Sequence, residues 1–428
     1  MMRSLYSGVS GLKVHQTKMD VIGNNISNVN TVGFKASRVT FSELFYQTTQ
    51  SATGPNSETN TGGQNAKQIG LGASLASIGV DVTSEGGTQS TNRPFDLKIN
   101  GNSFFIVESN GSTYFTKAGN FCTDESGNLV TDTGAYVMGY VADAPGQPLQ
   151  TDQLRPISVY ASKYTNTEPQ ATENAHFLGN INKEDSNFAA GLPVTRNIYL
   201  YDNLGYQYGI QVQITKVSNT EYSVEAAGVY AGTKLLDDIT ASMSGTLTFD
   251  EATGKLTNST IMDLSITGSD SFTIDPIKVD FSKVTCYGTE TTIDSARGNY
   301  DGEGTGKKVG VMTTVGIDAS GNIVAAYDNG DNEIIGQIAV ASFSNPAGLQ
   351  KVGENMFAAT LNSGEFNGLG SDINSTGGTF SAGVLEMSNV DLSTEFTDMI
   401  VTQRGFQANS RVITTSDSMI EELLSLKR

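Results

Sequence analysis

Tryptophan is absent from the 428 residues, and cysteine and histidine occur twice each, as Cys122, Cys286, His15 and His176. Two thiols far apart in sequence cannot make a disulfide framework and lack the CxxC spacing of a zinc site. They read as buried or incidental thiols. A Ser or Cys nucleophile needs a basic partner, and neither histidine sits beside a recognisable nucleophile elbow, so both read as surface residues. Basic residues are also scarce: 26 Lys and Arg face 45 Asp and Glu, a net charge of -19. A nucleic-acid binder must cluster cations to neutralise phosphates, so that class is excluded. Residues 41–390 alone hold 17 basic and 38 acidic side chains, a net of -21. Such an exterior favours solubility and identifies no ligand. No apolar run approaches the roughly 18 residues of a membrane span, and Met1 to Gly8 shows no secretory signal core.

What is present is Gly (47), Thr, Ser and Asn with only 9 Pro, the composition of short strands joined by tight turns. The length predicts two or more domains.

Helical periodicity is confined to the two ends. Leu5, Leu12, Met19 and Ile26 recur at heptad spacing with Val9, Ile22 and Val29 beside them, one apolar stripe on a helix of about 1–29. The neighbouring line runs through Gln16, Gly23 and Asn30 and is polar. Near the other end Leu392, Met399, Phe406, Ile413 and Ile420 hold one heptad position, flanked by Phe396 and Leu424, while Gln403, Ser410 and Asp417 form a polar line. Asp391 or Ser393 can cap this helix; Glu395 and Asp398 suit its positive end, and Lys427 and Arg428 its negative end. Two amphipathic helices with narrow apolar seams suit pairing with each other and then packing against neighbouring copies. The competing reading is two helices covering an ordinary core.

Residues 28–68 are polar and turn-rich, including Thr53 to Gly63, and read as an extended connector. Asp96 to Val107 reads as two strands around a Gly-containing turn. Asp124-x-x-Gly127, Asp318-x-x-Gly321 and Asp250-x-x-x-Gly254 read as hairpin turns, with Asp accepting backbone hydrogen bonds and Gly supplying positive φ. Segments 161–169 and 289–308 are the linker candidates, predicting an inserted middle domain. Gly302 to Lys308 fails the phosphate-loop pattern, and Asp328 to Glu333 lacks the length and terminal Glu of a calcium loop, so the latter reads as a solvated hairpin tip. No carboxylate pair stands out for glycoside hydrolysis. No catalytic, cofactor-binding or metal-ligating set is predicted.

Asn24, Asn25, Asn28, Thr31, Gly33, Phe34 and Lys35 fall in a segment that closely resembles the Asn-Asn-x-x-Asn-x-x-Thr-x-Gly-(Phe/Tyr)-Lys signature of the rod and hook family of bacterial flagellar axial proteins. Asp96 to Val107 is similar to the segment that begins the family's β domain. Leu385 to Phe396, followed by Gln403, Arg404 and Asn409, resembles its C-terminal signature. Ile198 to Gly205 and Ile335 to Leu349 resemble hook-type members; residues 215–305 match hardly at all. The long middle favours the hook type over the shorter rod type.

The resemblance implies a mainly β chain with terminal α-helices, the helices paired as a coiled-coil-like inner domain carrying nested outer β domains. The parts would be 1–29 with 391–428 (helical polymerisation domain), 30–70 with 381–390 (connector), 71–155 with 308–380 (conserved β domain) and 156–307 (outer variable β domain). The implied function is non-enzymatic: self-assembly into a flexible extracellular tube that acts as a universal joint between rod and filament and encloses the export channel. Implied partners are further copies of the chain, the distal rod protein, the hook cap, the hook-length control protein, the hook-filament junction protein and the type III export apparatus, which would move the chain without a cleavable signal peptide. Neither nucleic acid nor membrane insertion is implied. Alternatives are a distal rod protein and, from another class, a β-rich surface adhesin.

Overall fold

The computed structural model describes residues 2–55, 62–236, 238–258, 260–268 and 273–426. Lys427, Arg428 and the middle of the Thr53 to Gly63 turn region lie outside them. The chain divides into two compact units, residues 1–161 with 315–324 and 334–428, and residues 162–314 with 325–333.

The first unit holds both long helices, Met2–Ser27 and Leu392–Ser425. Asp391 caps the second, accepting from the Ser393 N–H at 3.0 Å and the Thr394 hydroxyl at 2.6 Å. Within residues 28–68, expected as an extended connector, the described residues include strands that join an antiparallel ribbon reaching to Val80. Ser37–Glu43 pairs with Ala73–Val80, and Tyr46–Gln50 with Lys67–Gly70. β-branched and aromatic residues (Val39, Thr40, Phe41, Tyr46, Ile69, Ile78) favour this pairing locally although little core lies beneath it. Gly72 brings the ribbon onto the N-terminal helix, where an added Cβ would strike the Ser10 hydroxyl.

In the β domain of this unit Phe104-Phe105-Ile106-Val107 is buried on both faces. Phe104 and Ile106 join Phe115, Met138, Tyr140 and Phe357 in one core, while Phe105 packs edge-on against Phe121 at 4.9 Å and beside Phe380 at 5.7 Å. A strand covered on both faces reads as a continuous apolar run. The two strands expected between Asp96 and Val107 exist but do not pair with each other: Leu97–Asn100 pairs with Thr379–Ala382, and Phe104–Ser109 with Ser112–Thr116. Gly101, at φ +129, redirects the chain between them. The Asp-x-x-Gly turns form as expected, with Asp124 and Asp318 accepting the N–H groups of Asn128 and Asn322 at 2.7 and 2.8 Å.

The second unit is a sandwich. One sheet contains Val194–Tyr201, Gln207–Lys216, Glu221–Ala231 and Ser244–Thr248; the other contains Ile261–Gly268, Thr273–Thr285, Asn174–Asn180 and Asp294–Arg297. Alternate residues of both, including Phe177, Ile198, Ile210, Val224, Leu264 and Phe281, meet in a single core, as period-two patterning requires. His176 is buried here, its Nδ1 2.7 Å from the Gly298 carbonyl and its ring 4.4 Å from Tyr300. The surface reading of His176 is therefore corrected: a strand position facing the core encloses it.

Candidate functional site

The two long helices pack antiparallel, and the line of contact is made mostly of small and polar residues. An added Cβ at Gly8 would lie 3.2 Å from Ile413 Cγ1, one at Gly11 2.7 Å from Asn409 Nδ2, and one at Gly405 2.7 Å from the His15 ring. Lys18 Nζ meets Asp398 at 3.4 Å, and Asn25 Nδ2 donates to Glu395 Oε1 at 3.0 Å. Positions 8, 11, 15, 18 and 25 thus face 413, 409, 405, 398 and 395 in that order, near heptad spacing on both helices. Thr402, Ser416 and Ile22 are buried. His15 is half-buried on this line with Nδ1 unbonded, which corrects its surface reading. This inner line was not identified from the sequence. Its signal is glycine at positions 8, 11 and 405, which costs about 1 kcal/mol each relative to Ala in a helix and makes sense where backbones approach closely.

The expected apolar seam shares Ile413 with that line. Ile22 is buried, Leu5, Leu12, Met19, Ile26, Val29, Met399, Phe406, Ile413 and Ile420 are half-buried, and Val9, Leu392, Phe396 and Leu424 are exposed. Ile400, Val401, Val412, Met419 and Leu423 are also exposed, apolar positions that the strict heptad reading passed over.

The family-motif residues gather where the helices join the β domain. Asn25 is buried and clamps the start of the ribbon: its Nδ2 donates to the Ser37 carbonyl at 2.9 Å, and its Oδ1 accepts the Ser37 N–H at 3.0 Å. Asn28 Nδ2 donates to Asn24 Oδ1, and the Thr31 hydroxyl donates to Asn28 Oδ1, closing the end of the first helix. Gly33 adopts φ +68 and donates its N–H to the Glu386 carbonyl at 2.8 Å. Phe34 is covered by Lys351, whose Nζ is 4.4 Å from the ring centre and donates to the Lys35 carbonyl at 2.7 Å. Burial pushes the Lys351 ammonium below the ordinary lysine range.

Lys35 and Glu386 form a fully buried ion pair at 2.8 Å, with Lys35 also donating to the Ser84 carbonyl at 2.7 Å. Asn389 spans the same junction, accepting the Ala36 N–H at 2.8 Å and donating to the Asp81 carbonyl at 2.9 Å. Asn409 donates to the Gly405 carbonyl within its own helix, while Gln403 and Arg404 are exposed. The motif therefore encodes a collar tying residues near 25–37 to residues near 386–395.

Among the described residues no group of three or more His, Cys, Asp or Glu could hold a metal ion, and no helix is long and apolar enough to cross a membrane. Lys308 pairs with Asp328 at 2.8 Å and Lys307 with Asp331, so the carboxylates that resembled calcium ligands are neutralised by lysines. Cys122 and Cys286 are free and half-buried.

Residues 5–35 match the family described as flagella basal body rod protein, residues 98–167 the flagellar hook protein FlgE/F/G D1 domain, and residues 381–426 the flagellar basal body rod FlgEFG protein C-terminal region. The chain is 35% identical to the flagellar hook protein FlgE of Treponema pallidum and 37% identical to that of Borreliella burgdorferi, in each case over 100% of both chains. It is 31% identical to the flagellar basal-body rod protein FlgG of Bacillus subtilis, again over 100% of both. The chain belongs to the FlgE/F/G family of flagellar rod and hook proteins. Within that family it is a hook-type structural subunit.

Proposed function

We propose that the chain polymerises into the hook through the outer faces of its paired terminal helices. The observation that carries this reading is the division of the C-terminal helix. Its inward line is mostly small and polar (Thr402, Gly405, Asn409), with Val412 and Ile413 against Gly8, while Phe396, Ile400, Val401, Met419 and Leu423 stay exposed. An apolar strip of this extent on a lone helix pair marks an interaction surface. Burying each such side chain against a neighbour contributes about 1.5–3 kcal/mol. Leu5, Met19, Phe406 and the other half-buried seam residues border the strip and complete it.

On this reading residues 1–29 with 391–428 are the polymerisation domain, 30–70 with 381–390 the connecting ribbon, 71–155 with 308–380 the conserved β domain, and 156–307 the variable domain. The separate sandwich core of the second unit supports treating the variable domain as an insertion. The polymer is a flexible joint that transmits torque and surrounds the export channel. It meets the distal rod protein, the hook cap, the length-control protein and the hook-filament junction protein, and its subunits arrive through the type III export apparatus. None of these roles requires catalysis.

The test compares the full chain with forms lacking 2–29 or 391–426, by electron microscopy and sedimentation under polymerising conditions. The full chain should give curved tubes, and both truncated forms should remain β-rich monomers. Tubes formed by either truncated protein would sink the proposal.

A further inference from the structure

Lys117, directly after the strand Ser112–Thr116, is 1% exposed. Its Nζ donates to the Gly101 carbonyl at 2.6 Å and lies 5.2 Å from the centre of the Phe104 ring. The charged groups facing it come from four other segments: Glu386 from Val384–Glu386, Lys35 from the loop after the first helix, Glu85 from the loop before Thr88–Ser90, and Lys98 from Leu97–Asn100. Lys35 is paired with Glu386 at 2.8 Å, Lys98 with Glu85 at 3.5 Å, and the nearby buried Asp96 with Arg93 at 3.9 Å. Four cations thus accompany three carboxylates, and among the described residues Lys117 is the cation of this group without a carboxylate in contact. The motif loop rests on its backbone: a Cβ at Gly33 would stand 2.9 Å from the Lys117 carbonyl carbon and 2.6 Å from the Ala118 nitrogen.

We propose that Lys117 makes the collar a pH-dependent latch, in which the loop carrying Gly33, Phe34 and Lys35 closes more tightly on the β domain when the odd ammonium gives its proton to solvent. The excess charge, enclosed where water cannot solvate it, opposes closure; the neutral amine keeps its hydrogen bond to Gly101 and removes that opposition. Burial pulls the Lys117 ammonium down to about 8, Glu386 opposing the shift and Lys35 adding to it. When the loop opens and water enters, the amine returns toward the ordinary value of about 10.4. The closed state therefore holds this proton less tightly than the open state, so closure is favoured as pH rises from 7 and the gain is complete above the open-state value. The ratio of open to closed collar should fall roughly thirtyfold between pH 7 and 9.5 on these values.

The experiment is hydrogen exchange of the full-length monomer, read by mass spectrometry on peptides covering 29–36 and 84–88 and corrected for the intrinsic pH dependence of exchange. Protection of both peptides in the wild type should rise by an order of magnitude or more from pH 7 to 9.5. Lys117→Met, neutral throughout, and Lys117→Arg, charged throughout, should each lose most of that rise, leaving only the contribution of Lys351, which covers Phe34 of the same loop, and either variant suffices if the other fails to fold. Exchange in the second unit serves as the internal reference. The same rise in wild type and variant, or no rise in the wild type, overturns the proposal.

Discussion

The backbone of Gly33 lies against that of Ala118, so that a Cβ at position 33 would stand 2.6 Å from the Ala118 nitrogen. Gly33 also adopts φ +68, a region that costs other L-residues about 1–2 kcal/mol. Gly134 shares the positive φ, at +85, but has open space where its Cβ would go. Gly33→Ala should therefore destabilise the first unit by the conformational cost plus about 1–3 kcal/mol for forcing backbone from backbone, whereas Gly134→Ala should show the conformational cost alone. Urea unfolding of the two variants measures the difference, and equal losses would mean that the collar yields without cost.

The Lys35–Glu386 pair is fully buried, and Glu386 Oε2 has no hydrogen-bond partner. Lys35→Met would leave an enclosed carboxylate uncompensated, a change that typically costs about 3–5 kcal/mol. The double variant Lys35→Met, Glu386→Leu should recover much of that loss, because removing both charges removes the desolvation penalty as well. A denaturant-based double-mutant cycle checks this, and additive losses would contradict it.

Acid should unfasten the start of the C-terminal helix. The Asp391 carboxyl is held below the usual aspartate range, first by the Thr394 hydroxyl and then by the Ser393 N–H. Because the folded value is depressed, the cap's contribution is present above the unfolded value near 3.9 and is lost as pH falls through the lower folded value. Exchange protection of residues 392–396 should fall in that window, and Asp391→Asn should flatten the dependence. A window above pH 5 would point to another group.

Both helices were legible in the sequence because a 3.6-residue period survives over many turns, and the collar residues were legible through the Asn25 to Lys35 signature. The inner packing line was not, since heptad reasoning follows apolar side chains, whereas Gly8, Gly11, Gly405, Thr402 and Asn409 pack by closeness of backbone. The part of the ribbon inside the expected connector was missed for a related reason: Ser37–Glu43 and Tyr46–Gln50 have mostly exposed side chains, so neither shows the clean alternation of a half-buried strand. Glu386 and Lys117 meet Lys35 only through contacts distant in sequence, and nothing local announces a buried charge cluster.

The two faces of the C-terminal helix make separable predictions for assembly. Ile400 is 59% exposed, so Ile400→Asp should leave the monomer's melting temperature nearly unchanged. In the polymer the same carboxylate would be enclosed against a neighbour, where an unpaired charge is strongly unfavourable, and the penalty recurs in every subunit. Ile413 instead reaches the first helix, with Cγ1 3.2 Å from where a Gly8 Cβ would stand. Ile413→Asp should therefore weaken the helix pair within the monomer and also assembly. Half-buried Phe406 lies between these cases, and Phe406→Ala should reduce assembly by less than the 3–5 kcal/mol of a fully buried Phe. Exposed Gln407→Ala should change neither property. Calorimetry of the monomer with sedimentation of the polymer separates the outcomes. Normal tubes from Ile400→Asp would show that the exposed strip faces solvent in the hook, and the assembly surface would then have to be sought on another face of the helix pair.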